Sequence, residues 1–103
     1  MTPRHIRTRK TSQGNYGIFL ERARQCFEAA KEVHLKHPLA GAIDAVHCAI
    51  AAADALLVFE RGERAAGDSH GDAIELLSRL GVEGCQEKAR QFGKIISLKN
   101  QAE

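Results

Sequence analysis

The sequence is poor in aromatic residues, with no Trp, one Tyr and four Phe among 103 residues. It also has few cysteines, and the three that occur, Cys26, Cys48 and Cys85, include no CxxC pair. A core without large aromatic residues must be built from Ala, Leu, Ile and Val, and an alanine-rich core favours close helix–helix contact over a sheet. The cysteine pattern favours buried thiols in a reducing, cytoplasmic setting over a disulfide or a metal role.

We expect no secretory leader, because no continuous apolar run of the kind that a signal peptide needs follows the N-terminus. No stretch approaches the uninterrupted apolar length of a membrane span, so no membrane partner is predicted. The formal net charge of +2 is too small to indicate nucleic-acid binding by itself. Hydrophobic residues make up 44% of the chain, which is typical of a globular protein and too high for a disordered one. The length suits one small domain.

Positive charge is concentrated at the N-terminus. Arg4, Arg7, Arg9 and Lys10 occur there with no acidic residue among them, and residues 1–13 show no apolar periodicity. We therefore predict that residues 1–13 form a flexible, disordered basic tail. Such a tail can contact nucleic-acid phosphates through charge alone, or it can serve solubility, and the sequence leaves both interpretations open.

Residues 14–103 form the predicted folded domain, in which helical periodicity recurs and no strand-like alternation is found. The predicted helices cover about residues 15–37, 39–61, 69–80 and 83–99. The second of them is apolar most of the way round, which is typical of a helix surrounded by others, so we expect it to be central. The predicted fold class is all-α, an antiparallel four-helix bundle with short connections.

A charged stripe interrupts the second predicted helix. Asp44, His47, Asp54 and Arg61 follow one another at steps of three, seven and seven residues, which places them along one side of the helix. A carboxylate within reach of an imidazole fixes its tautomer and can support acid–base chemistry. We predict that these residues bind a ligand, with a phosphate or a base as the best candidate. The alternative is that the stripe only faces solvent or a partner subunit.

Other constellations fall short of a catalytic or metal site. His34 and His37 lie three residues apart at a helix end, but no further ligand completes a zinc set. The chain has no P-loop and no Gly-flanked serine nucleophile. We therefore predict no metal, no cofactor and no catalytic residue. His70, near the start of the third helix, is expected to pack or hydrogen-bond locally and is kept as a ligand-binding candidate.

Three passages between residues 16 and 102 carry a family resemblance. They are a long amphipathic helix ending near His37-Pro38, the alanine-rich run from Ala42 to Leu57, and Ser69-His70 ahead of Ile74-Glu75-Leu76-Leu77. In this order they resemble the HEPN (higher eukaryote and prokaryote nucleotide-binding) domain family. The resemblance implies an up-and-down helical bundle that binds a nucleotide or RNA. It also implies pairing with a nucleotidyltransferase-like protein, in a toxin–antitoxin-like arrangement.

The sequence departs from that family in two ways. Ribonuclease members carry an Arg and, a few positions later, a His near the start of a late helix, whereas the last helix here has no histidine. Arg64 and His70 have a similar spacing, but a glycine-containing loop separates them. Relatives also continue into a further helix, so we expect apolar surface to be covered by another subunit, in a homodimer.

Three functions are therefore considered. The first is a non-catalytic module that binds a nucleotide, RNA or a partner protein. The second is a self-associating structural domain with no small ligand. The third is a metal-independent RNase that uses His70 with Arg64, and we rank it last because of the loop between the two residues. The chain is accordingly predicted not to be an enzyme.

Overall fold

The computed structural model of the chain describes residues 5–66 and 70–102. Its helices are α1 (Tyr16–Val33), α2 (Pro38–Arg61), α3 (His70–Ser78) and α4 (Cys85–Ala102). Two short antiparallel strands, β1 (Thr8–Lys10) and β2 (Glu63–Ala65), pair with each other, and a single 3₁₀ turn (Gln13–Asn15) leads into α1. The fold is mostly helical, as predicted, and the helix boundaries lie close to the predicted ones.

Helix α2 lies at the centre of the fold. Helix α1 packs along one side of it, and α3 and α4 pack along the other, while α1 makes at most marginal contact with α3 and α4 among the described residues. Alanine methyl groups allow this close approach from both sides, and Val46 and Val58 of α2 are completely buried. The prediction that the alanine-rich helix is the central one is confirmed.

Each side of α2 has its own core. On one side, Leu77 of α3 is completely buried among small and aliphatic residues of α2, α3 and α4, namely Ala53, Leu57, Ala73, Leu80, Cys85 and Ala89. On the other side, Phe19 of α1 packs against Ala55 and Val58. Because these two cores share α2, the helix positions side chains of α1 relative to those of α3 and α4.

The chain reverses between α1 and α2 within residues 34–37, so the two helices form an antiparallel hairpin. Gly41 is buried at this turn. A Cβ atom at Gly41 would lie 2.8 Å from the Cα of His34, closer than packed atoms approach. The absence of a side chain at this position is therefore what lets the two helices meet so closely.

The N-terminal segment is structured, which corrects two predictions. Strand β1 lies within the segment predicted to be a flexible tail, and β2 lies in the loop after α2, so the prediction of a strand-free domain is wrong. The backbone N–H of Thr11 donates to the carbonyl of Gly62 at 2.8 Å, and the N–H of Ala66 donates to that of Arg7 at 3.0 Å. Ile6 is buried beside them, at 6% exposure. Strands of three residues are too short to leave a periodic signal in the sequence.

Gly62 redirects the chain from α2 into β2. It follows the helix with a φ of 63°, in the left-handed region that favours glycine. The turn brings β2 back past the start of the chain, where β1 can pair with it. The strand pairing thus depends on how α2 ends, which the isolated N-terminal sequence cannot reveal.

Helix α2 is long and apolar enough to cross a membrane by length and composition alone, with a mean hydropathy of 1.8 over its best 18-residue window. The prediction that no stretch approaches such a length is wrong by this measure. The core helix of a soluble protein satisfies the same criterion, and 44% of that window is buried inside the fold. Its position between α1 on one side and α3 and α4 on the other gives α2 two faces on which apolar residues are buried.

Candidate anion-binding site

Asp54 is the buried carboxylate of α2, with 7% of its surface exposed. Its Oδ2 lies 3.7 Å from Nη1 of Arg64 in β2. Burial raises the pKa of Asp54, and the charges of Arg64 and Arg22 oppose that rise. A charged carboxylate is costly to bury without a cation beside it, so Asp54 in its charged form depends on these two arginines.

Phe19 supports both arginines. The Cζ atom of Arg22 lies 5.3 Å from the centroid of the Phe19 ring, and that of Arg64 lies 5.0 Å from it. Both distances fall within the range of about 6 Å for a cation–π contact. The ring itself is buried in the core between α1 and α2, at 8% exposure. A rigid aromatic side chain thus holds two guanidinium groups close to one carboxylate.

Arg22, His47, Asp54 and Arg64 line a shallow cavity of about 230 Å³, together with Ile50 and Ala51. Arg22 is exposed and Arg64 is half-buried, so guanidinium N–H groups remain accessible from solvent. Two permanent positive charges face one carboxylate here, and the cavity is positive even when the imidazole is neutral. One guanidinium group can donate two parallel N–H···O hydrogen bonds to the oxygens of a carboxylate or a phosphate. An anion is therefore the suitable ligand for this cavity.

Strand β1 adds a further arginine to this surface. Arg9 is paired with Arg64 in the register of the two strands. Side chains of directly opposite residues lie on the same face of a ladder, about 5 Å apart at Cβ. The opposite face carries Thr8, whose hydroxyl donates to Oε2 of Glu63 at 3.1 Å. The pairing therefore directs Arg9 to the same side as Arg64 and concentrates positive charge beside the cavity.

The structure brings together only part of the charged stripe on α2. His47 and Asp54 line the cavity, whereas Asp44 is half-buried on the same helix and does not line it. Arg61 lies at the end of α2, where its Nη2 donates to the carbonyl of Leu80 at 3.3 Å. Seven residues of helix separate Arg61 from Asp54, about 10 Å along the axis. The stripe is longer than the cavity, and the four residues do not form one site.

The basic N-terminal residues are divided in the same way. Arg4 and the side chain of His70 lie outside the described residues. Arg7 is exposed, and Lys10 is paired with Glu63 in the ladder, on the face away from Arg64. Within β1, Arg9 is the cation that lies on the same face of the ladder as Arg64.

Sequence reasoning does not single out Arg22 or Phe19, and it considers Arg64 only as a partner of His70. Arg22 follows Phe19 by three residues on one helix, which is the only hint in the sequence that they interact. This spacing is too common on amphipathic helices to indicate a site. What makes these residues a site is the register between α1 and α2, together with the return of β2. Both are tertiary features.

The cysteines are free thiols. Cys85 is buried as predicted, but Cys26 and Cys48 are only half-buried, so the expectation of buried thiols holds for one of the three. Burial, and to a smaller extent the neighbouring Cys26, raises the pKa of the Cys48 thiol. Among the described residues, no group of three or more His, Cys, Asp or Glu side chains is placed to hold a metal ion.

Comparison with protein-family models, curated proteins and solved structures finds no match to this chain.

Proposed function

We propose that the protein is a non-catalytic binding module that holds the phosphate groups of a nucleotide or RNA at the cavity between Arg22 and Arg64. The observation that carries the proposal is the pair of guanidinium groups on the Phe19 ring, 5.3 and 5.0 Å from its centroid, beside a single buried carboxylate. Arg9, paired with Arg64, extends the positive surface beyond the cavity. An extended row of arginines suits successive phosphates of a backbone.

A binding role is favoured over a catalytic one by the residue types that line the cavity. Arg22 and Arg64 stay protonated, and such a side chain can bind an anion but does not transfer a proton. The proposal agrees with what the resemblance to the HEPN family implies. We also propose that the four helices have the up-and-down bundle topology of that family and that the protein is cytoplasmic. A nucleotidyltransferase-like partner remains an implication of that resemblance alone.

Two arginines on α1 provide a matched test. Arg22 and Arg24 are both exposed, but Arg22 lines the cavity, whereas Arg24 is paired with Glu21 and does not line it. We expect Arg22→Gln to weaken binding of a single-stranded RNA oligonucleotide about tenfold at low salt and to reduce the salt slope of log K by about one. Arg24→Gln removes the same charge and should have a much smaller effect.

The binding measurements are made by fluorescence anisotropy with a labelled oligonucleotide and by calorimetry with a mononucleotide. Tight binding of the mononucleotide identifies a nucleotide pocket, and binding of RNA alone identifies a backbone surface. Equal losses for Arg22→Gln and Arg24→Gln would mean that only overall charge matters and would contradict the proposed site. Failure of the unaltered protein to bind either ligand would contradict the proposed function.

A further inference from the structure

Two of the three cysteines lie on the faces along which α1 and α2 pack together. Cys26 belongs to a row of buried and half-buried residues of α1 that recur at steps of three and four, namely Phe19, Ala23, Cys26, Ala30 and Val33. Among the described residues, α2 is the only helix with which α1 makes more than marginal contact. The side chain of Cys26 is therefore covered by α2.

Cys48 lies on the opposing face of α2. It lines a hollow of about 500 Å³ along the hairpin, together with residues of α1 that include Ala23 and Phe27. Both Cys26 and Cys48 are half-buried, whereas Cys85 is buried in the core on the other side of α2, at 5% exposure. The chain thus has two partly accessible cysteines on one side of α2 and one inaccessible cysteine on the other.

Two contacts fix the register of the α1–α2 hairpin. In the aromatic contact, the rings of Tyr16 and Phe59 meet edge to face, with centroids 5.1 Å apart. In the glycine contact, at the other end of the hairpin, a Cβ atom on Gly41 would lie 2.8 Å from the Cα of His34. Both helices rise by about 1.5 Å per residue, so equal numbers of residues from either contact lead to the same level of the hairpin.

This register brings Cys26 to the level of Cys48. Ten residues inward from the aromatic contact are Cys26 on α1 and Ala49 on α2. Eight residues inward from the glycine contact are the same two residues. Cys48 adjoins Ala49 and is the residue of these two that lines the hollow beside α1. The two cysteines therefore face each other across the hairpin.

Facing positions of two packed helices are within reach of a disulfide bond. The axes of packed helices lie about 8–10 Å apart, and the Cα atoms lie about 2.3 Å from each axis. Directly facing Cα atoms are then about 3.4–5.4 Å apart, and those offset along or around the axes are farther apart. A disulfide needs a Cα separation of about 4.4–6.8 Å, which a slightly offset facing pair provides.

An electrostatic effect agrees with the proximity of the two thiols. Burial is the main cause that raises the pKa of the Cys48 thiol, and the charge of an ionised Cys26 is the second. A like charge has such an effect only at short range. Cys48 therefore keeps its proton to higher pH than an ordinary thiol does, and it is better suited to the second step of an oxidation than to the first.

We propose that Cys26 and Cys48 form a reversible oxidation site, at which hydrogen peroxide joins α1 to α2 through a disulfide bond. The sulfur of Cys26 attacks one peroxide oxygen, the O–O bond breaks, and a sulfenic acid forms with release of one water. The sulfur of Cys48 then attacks that of Cys26, the S–O bond breaks, and a second water leaves. The two thiols lose two electrons and the peroxide gains them. A small thiol reverses the reaction by thiol–disulfide exchange.

The oxidation site is separate from the anion cavity, because neither cysteine lines that cavity. It therefore does not depend on the proposed function. In a reducing compartment a disulfide of this kind is transient and persists only while oxidant is present. The bond fastens α1 to α2 near the middle of the hairpin during that time.

Peptide mapping tests the proposal directly, because trypsin places the three cysteines in separate peptides, residues 25–31, 37–61 and 80–88. The folded protein is treated with hydrogen peroxide, its remaining thiols are alkylated, and it is digested without reduction. We expect peptides 25–31 and 37–61 to be joined, with a mass lower by two hydrogen atoms than their sum. Peptide 80–88 should be alkylated, and dithiothreitol should separate the joined pair.

Cys85→Ala is the matched control, since it removes a thiol outside the pair and should leave the joined peptides unchanged. Cys26→Ala and Cys48→Ala should each abolish the bond within the chain, and circular dichroism verifies that both variants are folded. Oxidation of the unaltered protein in urea should give a mixture of the three possible pairings.

A folded, unaltered protein that yields no joined peptide with excess peroxide would overturn the proposal. So would a bond that links two molecules or includes Cys85. The same mixture of pairings with and without urea would also contradict it, because the fold would then not be what brings Cys26 and Cys48 together.

Discussion

Arg9 and Arg64 lie directly opposite each other in the antiparallel ladder of β1 and β2. Like charges at opposite positions destabilise a strand pair, by an amount on the order of 0.2–1 kcal/mol. The pairing is nevertheless maintained, with hydrogen bonds continuing beyond it from Thr11 to Gly62 and from Ala66 to Arg7. An anion bound between the two guanidinium groups would remove their repulsion, so ligand binding and strand pairing should stabilise each other.

Replacing Arg9 by Gln should therefore have opposite effects on stability and on binding. Without ligand at low salt, we expect the free energy of unfolding to rise by about 0.2–1 kcal/mol, because the like-charge pair is lost. RNA affinity should fall, because a phosphate contact is lost with it. Urea denaturation and fluorescence anisotropy measure the two effects.

Arg7→Gln is the control for this substitution, since Arg7 is exposed in the same segment but is not part of the paired register. It removes the same charge and should leave stability nearly unchanged. If Arg9→Gln lowers stability, or if Arg7→Gln raises it as much, the repulsion between Arg9 and Arg64 is not the cause. Added salt should reduce the stability gained by Arg9→Gln, because the repulsion is screened.

The helices could be predicted from the sequence because each carries a complete pattern. The apolar residues of α1 repeat with helical period, and the alanine content of α2 indicates a helix with neighbours on both sides. Pro38, at the first position of α2, sets the boundary between α1 and α2. These signals are local, so no knowledge of tertiary contacts is needed to interpret them.

The candidate site could be predicted only in part, because its residues come from separate elements. His47 and Asp54 share a helix, and their spacing alone places them on one side. Arg22 joins them through the packing of α1 on α2, and Arg64 through a strand of three residues. Arg9 requires the pairing of two such strands, which leave no periodic pattern. Asp54 attracts the two arginines strongly because it is buried, and its burial cannot be predicted from the sequence alone.

Asp54 should make the stability of the protein depend on pH. Burial raises the pKa of Asp54 above its ordinary value of 3.8, although Arg64 and Arg22 act against the rise. The folded state therefore binds this proton more tightly than the unfolded state does. The contribution is fully present below pH 3.8 and is lost as the pH rises through the folded pKa.

The neutral variant Asp54→Asn avoids this loss. We expect it to be more stable than the unaltered protein at neutral pH, and the difference to vanish in acid. It should also bind RNA more tightly, because the two arginines keep their charge while the carboxylate is gone. Urea denaturation at several pH values and anisotropy test both points, with Asp44→Asn as a control outside the cavity. A less stable Asp54→Asn at neutral pH would show that the ion pair with Arg64 outweighs the cost of burial.

Of the helical glycines Gly17, Gly41 and Gly93, Gly41 should be the one at which alanine is least tolerated. The new Cβ would lie 2.8 Å from both Cα and Cβ of His34, and backbone cannot move aside as a flexible side chain can. Alanine gains about 1 kcal/mol of helix propensity over glycine, but overpacking of this kind costs about 1–3 kcal/mol.

Gly93→Ala in α4 is the control, because no heavy atom lies within 4 Å of its new Cβ. Urea denaturation should show a loss of stability for Gly41→Ala and a gain of about 0.5–1 kcal/mol for Gly93→Ala. Equal gains for both would mean that α1 and α2 are not in close contact at this turn.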